Sequence, residues 1–278
     1  MRQTVTLTTD WMNAGGSLYD SNYNDIPKIY PMSEHYIAQL KGLLMQISPD
    51  IAVVDITHSI KMFDQTQTAF VLRSTYPFFP KGTIHLVGVN SEPSPENRIV
   101  LVEKDGHYFV GANDGMFGMV FDRMPDSAVE LLPATSTGGF AALGLFVGVV
   151  RRLTDRVALS EIGNKIALNQ TRLLEAGYGN NLISGTVVLV DHFGNLITNI
   201  SKDLFLQIGK NRPFAIKVQN VCIKEISEHY DVKCESLALF NSANMLEIAM
   251  PRMNLSFSYS INTGDNVRID FADDRLFF

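Results

Sequence analysis

Asp10 closes the run Thr8-Thr9-Asp10 at the end of a short β-branched segment. A carboxylate there can accept two hydrogen bonds from a ribose diol, or it can cap its own loop as an Asx turn. Asp191 and Asn195 bracket Gly194 in Val190-Asp191-His192-Phe193-Gly194-Asn195. An acceptor and an amide in one turn can read an amine and an adenine edge, although the segment serves equally well as a plain turn. Trp11, Phe63, Phe193 and Tyr230 are aromatic platforms for a flat ring, or packing residues at element ends. His58 and His192 invite metal or acid/base readings, yet neither has a second ligand at binding distance along its own element, so structural roles are preferred. Cys222 and Cys234 are the only cysteines and read as reduced core residues. No glycine-rich phosphate cradle, Gly-x-Ser-x-Gly elbow or Cys/His nucleophile pair stands in the chain.

Strand ends need strands. Val5–Thr9 and Ile51–Ile56 are β-branched runs separated by a helix-like stretch from Glu34 to Ile47, with Ser33 as N-cap and apolar residues at 37, 40, 43, 44 and 47. Asp64 to Tyr76 forms a second helix, broken by Pro77 and Pro80-Lys81-Gly82, before the continuous apolar strand Thr83–Val89. This β-α-β-α-β order predicts a parallel sheet with ligands at its carboxyl ends, around Asp10, Ile56 to Phe63 and Asn90. Ile99–Glu103 and His107–Gly111 flank Asp105-Gly106 as a hairpin, and Phe140–Val150 is a buried helix ending at Arg151-Arg152. After a glycine-bearing linker that ends at Gly177–Asn181, short strands follow at 187–190, 214–218, 221–226, 246–249 and 267–271, with little room for helices. The expected architecture is therefore an N-terminal α/β domain, residues 1–182, with a mostly parallel central sheet, and a C-terminal all-β barrel-like domain, residues 183–278.

Composition narrows the function. The chain has 278 residues, 46% of them hydrophobic, enough for two cores. A net charge of −6 with scattered basic residues argues against nucleic acid as a partner. No stretch approaches the roughly 18 apolar residues of a membrane helix and the first residues lack a signal-peptide core, so a cytoplasmic location and no membrane partner are expected.

Taken in order along the chain, several segments resemble the S-adenosylmethionine hydroxide adenosyltransferases and the related fluorinases and chlorinases. They are Thr8–Asp10, Gln39–Leu43 with Ser48–Asp50, Val54–Ile60, Phe78–Thr83, Ala112–Gly115, Asp191–Asn199 and Asn241-Ser242 with Leu246–Ala249. The resemblance implies a homotrimer whose sites lie between one subunit's N-domain and a neighbour's C-domain, with S-adenosylmethionine as substrate and no cofactor or metal. It implies that Asp10 holds the ribose hydroxyls, Phe63 walls the ribose, Asp191 and Ser242 meet the methionine end, and Phe193, Asn195 and Tyr230 surround adenine. At the reacting end, family hydrolases carry an Asp, an Arg and a His that prepare water. The corresponding positions here are Asn90, Arg98 (or Asn97 without a gap) and Thr137, while Gly138 stands where the halogenases place a small residue. Ala243 replaces the Arg that usually follows the Asn-Ser pair, and Asn13–Pro31 is an insertion beside Asp10. The activity implied is cleavage of the bond between C5′ and the sulfonium, with water as nucleophile giving adenosine and L-methionine. Binding of adenosine or S-adenosylmethionine without chemistry, and transfer to a halide, are the alternatives.

Overall fold

The computed structural model describes residues 3–11, 35–121, 123, 125, 127–132, 139–172 and 175–272. They fall into two compact units, Met1–Arg172 and Leu173–Phe278. The Ser33 cap, the insertion at 13–31 and residues Thr137 and Gly138 lie outside the described residues.

In unit 1, β1 (Thr4–Thr9), α1 (His35–Ile47), β2 (Ala52–Thr57), α2 (Gln65–Thr75) and β3 (Ile84–Gly88) form two β-α-β crossovers. β4 (Ile99–Lys104) and β5 (His107–Ala112) form the hairpin, and α3 (Met116–Val120), β6 (Ser127–Glu130), α4 (Ala141–Thr154), α5 (Leu159–Ile162) and β7 (Asn164–Lys165) complete the unit. The sheet order is β2-β1-β3-β5-β4-β6-β7. β1 runs parallel to β2 and β3, and β3 parallel to β5; from β4 outward the pairing is antiparallel. Every residue of β3 is buried, as a strand covered on both faces requires. The first crossover steps from β1 to β2 and the second runs back from β2 past β1 to β3, so right-handed connections put α1 and α2 on opposite faces, α1 beside α4 and α2 beside α3. Asp64 caps α2 by accepting the Gln67 N–H at 2.9 Å. At the hairpin, Asp105 (φ 52°) and Gly106 (φ 81°) take the left-handed conformations of a tight two-residue turn.

The face shared by β1, β3 and β5 carries a buried histidine pair. His85 is fully buried; its Nδ1 lies 2.8 Å from the Thr6 hydroxyl, its Nε2 lies 3.2 Å from His107 Nδ1, and its ring stacks on Phe109 at 4.7 Å. Burial, and then the neighbouring His107, pushes the His85 pKa down to about 3.

Unit 2 contains β8 (Gly177–Tyr178), β9 (Leu182–Val190), β10 (Leu196–Ser201), α6 (Lys202–Gly209), β11 (Phe214–Val218), β12 (Val221–Ile223), β13 (Leu237–Phe240), β14 (Met245–Ala249), α7 (Leu255–Tyr259) and β15 (Asn266–Phe271). They build a barrel-like antiparallel sheet, order β12-β11-β15-β9-β10-β14-β13 with β8 on β9. β9 pairs with β15 through its first half and β10 through its second, which curls the sheet. Gly185 sits at this bend, where a Cβ would press on Asn199 and Ile200.

Three expectations need correction. Gly177-Tyr178 is a paired strand rather than free linker. Helices do occur in unit 2: Ser201 caps α6 by accepting the Leu204 N–H at 3.2 Å, and Asn254 caps α7 by accepting the Phe257 N–H at 2.7 Å. Both helices are too short for a periodic stripe to stand out in the sequence. Cys222 is exposed and Cys234 half-buried, because strand alternation turns Cys222 outward between Val221 and Ile223. Among the described residues, no helix is long and apolar enough to cross a membrane.

Candidate active site

With β1 between β2 and β3, the direction of chain progression reverses at the β1/β3 crevice, the place where open α/β sheets bind ligands. Three polar residues stand just past neighbouring strand ends: Asp10 after β1, Asn90 after β3 and Asp114 after β5. Asp10 Oδ2 accepts the Phe63 N–H at 3.1 Å, an amide from the loop after β2. Burial raises the Asp10 carboxyl above its ordinary range, while backbone N–H groups of Phe63, Asp10 itself and Asn90 pull it back. Phe63 is held at φ 61°, a left-handed conformation unusual for an aromatic residue, and the residue is 66% exposed.

Asn90 is also left-handed, at φ 50°, which asparagine tolerates better than most residues. Its Nδ2 donates to Asp114 Oδ2 at 3.3 Å. Asn97 Nδ2 donates to the Asn90 carbonyl at 2.6 Å and to the Glu92 carbonyl at 2.8 Å, folding the 90–97 loop on itself. Of the two alignments at the Arg position, Asn97 is therefore the residue that meets Asn90. Arg98 turns its exposed guanidinium to Glu130, 3.3 Å away. Behind Asp10, Thr9 Oγ1 lies 3.0 Å from His58 Nδ1, and His58 Nε2 lies 3.1 Å from Asp55 Oδ1. Lys41 reaches the other Asp55 oxygen at 2.5 Å. Partial burial raises the Asp55 carboxyl, and Lys41 and His58 outweigh it to leave it below the usual range. His58 thus braces the end of β1.

The second group lies wholly in unit 2. Asp191 Oδ1 accepts the N–H groups of Phe193 and Asn195 at 2.9 and 2.8 Å, and Oδ2 accepts Asn195 Nδ2 at 2.9 Å. Three of the carboxylate's roughly four acceptor sites are thereby used, and the Asn195 amide keeps one N–H and its oxygen. Gly194 (φ 81°) makes the turn, and Phe193 is left 72% exposed at its tip. Tyr230 donates its hydroxyl to Glu247 Oε1, and Asn241 Nδ2 donates to Glu247 Oε2 at 3.2 Å. Burial, then the Glu247 bond and charge and the nearby Asp191, drive the Tyr230 phenol well above its usual range. Ser242 is exposed in the turn after Asn241, whose Oδ1 accepts the N–H groups of Ala243 and Met245.

Residue-by-residue reading named neither Asp114 nor Glu247 as site residues. Both stand inside segments of the collinear pattern, Ala112–Gly115 and Leu246–Ala249, and only pairing shows their roles: Glu247 lies across from Ile197, two residues after Asn195. Among the described residues, no group of three or more His, Cys, Asp or Glu side chains is arranged to hold a metal ion.

The α/β unit thus carries acidic and amide groups at its switch point, and the barrel-like unit carries a polar turn of its own. Residues 30–163 match the SAM hydroxide adenosyltransferase N-terminal domain and residues 185–268 the C-terminal domain. The chain belongs to the SAM hydroxide adenosyltransferase family. It is 24% identical over 253 residues to an (R)-S-adenosyl-L-methionine hydrolase of Methanocaldococcus jannaschii, covering 85% of this chain and 91% of that one. It is 22% identical over 277 residues to a fluorinase of Actinopolyspora mzabensis, covering 84% and 92%. The crystal structure of an uncharacterized conserved protein from Thermotoga maritima superposes with a TM-score of 0.79 at 23% identity, covering 96% of this chain and all of that one.

Proposed function

We propose that this protein binds S-adenosylmethionine and cleaves its C5′–sulfonium bond, water entering at C5′ to give adenosine and L-methionine. The observation that carries the reading is the Asp10 carboxylate, held at the switch point by the Phe63 N–H and retaining acceptor capacity for the ribose hydroxyls, in a chain that matches the family over both units. The Phe63 ring walls the ribose. In a homotrimer, a neighbouring subunit supplies the second half of the site. Its Asn195 amide offers one donor and one acceptor to adenine between Phe193 and Tyr230, and Asp191 and Ser242 meet the methionine amine and carboxylate. Asn90 stands at the sequence position that the family pattern gives to the reacting end, and Arg98, Thr137 and Gly138 occupy the remaining positions of that pattern.

The sulfonium is already a good leaving group, so the protein's task is placement and solvent control. Calorimetry with S-adenosylmethionine and chromatographic detection of adenosine test the reading. Binding and adenosine release are expected in the wild type. Asp10→Asn should weaken binding about 10- to 100-fold, the worth of one or two hydrogen bonds to a charged group. Absence of binding and of turnover at high enzyme concentration would refute it.

A second reading, a nucleoside-binding protein without chemistry, is favoured by the amide at position 90, which cannot take up a proton as a carboxylate does. Tight binding of S-adenosylmethionine with no adenosine released would select it.

A further inference from the structure

Hydrolysis at C5′ releases a proton, and position 90 offers no base for it. β3 and β5 are parallel neighbours, and Asp114 stands two residues past the end of β5 as Asn90 stands two past the end of β3. The Asn90 side chain donates to Asp114 Oδ2 at 3.3 Å, while its backbone N–H faces the Asp10 carboxylate on the other side. Asn90 therefore joins two carboxylates. Asp10 is committed to the ribose in the reading above; Asp114 has no assigned partner in the substrate. Its Oδ1 accepts the Met116 N–H at 3.2 Å and Gln65 also donates to it, so its position is fixed.

We propose that Asp114 is the proton acceptor of this enzyme, taking over at β5 the role of the carboxylate absent at position 90; the assignment rests on the hydrolytic reading. In the step, the water oxygen forms a bond to ribose C5′ as the C5′–S bond breaks. The bonding pair leaves with sulfur, neutralising the sulfonium to the thioether of methionine. The water proton passes to an Asp114 oxygen and then to solvent, and the Asn90 amide oxygen orients the water. Burial raises the Asp114 carboxyl above its ordinary range, against the Met116, Asn90 and Gln65 hydrogen bonds, which brings it closer to a useful base at neutral pH.

A merely structural Asp114, capping the turn into α3, predicts a different outcome, so the test measures kcat, KM and the pH profile of adenosine release. Asp114→Asn should lower kcat about 100-fold or more, the usual worth of general base catalysis, with KM within about threefold and the rising acid limb of kcat abolished. The exchange Asn90→Asp with Asp114→Asn returns a carboxylate to β3 and should recover at least about tenfold of the loss. Wild-type rates and an unchanged acid limb in Asp114→Asn would overturn the assignment while leaving the hydrolytic reading intact. A wild type that releases no adenosine overturns both. Should Asp114→Asn not fold, a wild-type kcat that stays flat across the acid range overturns the assignment by itself.

Discussion

Acid should unfold this protein through His85. The side chain is fully buried, with both ring nitrogens engaged by Thr6 and His107, and burial holds its folded pKa near 3 against an ordinary 6.5. In the unfolded chain the same imidazole takes a proton below about pH 6.5. The folded pKa of this base is depressed, so its contribution to stability is whole above 6.5 and is lost as pH falls from there towards 3. One proton bound only by the unfolded state corresponds to about 1.4 kcal/mol per pH unit. Between pH 7 and pH 5 the loss is about 2 kcal/mol, and by pH 3 it reaches about 4 kcal/mol. His107, depressed mainly by burial, acts in the same direction. Asp10 and Asp114 act oppositely, since carboxyls raised by burial relieve their cost on protonation. The comparison must therefore be differential: denaturant unfolding followed by circular dichroism from pH 7 to 4.5, for wild type and His85→Gln. Gln keeps a polar partner for Thr6 but does not titrate. Stability of the wild type should fall more steeply than that of the variant by about one proton. Parallel pH dependences would refute the reasoning.

Other perturbations have equally definite outcomes. Gly194→Ala places a Cβ on the Asn254 side chain at a φ of 81°, and should destabilise the protein by about 1–3 kcal/mol in denaturant unfolding, with the α7 cap disrupted. Tyr230→Phe strips the buried Glu247 of one of its two donors and should cost about 1–3 kcal/mol by the same assay; an unchanged midpoint would show that the phenol bond contributes nothing. In the native protein a thiol reagent should modify Cys222 well before Cys234, and Cys222→Ser should remove the fast phase.

Much of the fold was legible because its signals are local. The buried run Ile84–Gly88, the cap at Asp64 and the Asp105-Gly106 turn each carry their own chemistry in adjacent residues. The helices α6 and α7 were not, since an eight-residue and a five-residue helix give barely two turns of pattern and depend on the caps Ser201 and Asn254 and on packing against the barrel. For the site, strand-end position alone pointed to Asp10 and Asn90. The contact from Asn90 to Asp114 spans 24 positions and is created by the β3/β5 pairing, and the chain Tyr230–Glu247–Asn241 depends on the loop before β13 folding onto β14. Neither has a spacing that a linear reading detects. The turn of Arg98 towards Glu130 likewise follows from the pairing of β4 with β6.

The row of residues just past β1, β3 and β5 separates what this molecule does from what keeps it folded. Positions 10, 90 and 114 lie outside the hydrophobic core formed by the strands they follow, so exchanging acid for amide among them changes proton affinity without emptying or crowding a packed site. A lineage with this sheet can relocate its reactive carboxylate from one strand end to the next in two substitutions. Acid-for-amide exchanges at 90 and 114 should consequently change rate far more than they change the melting temperature.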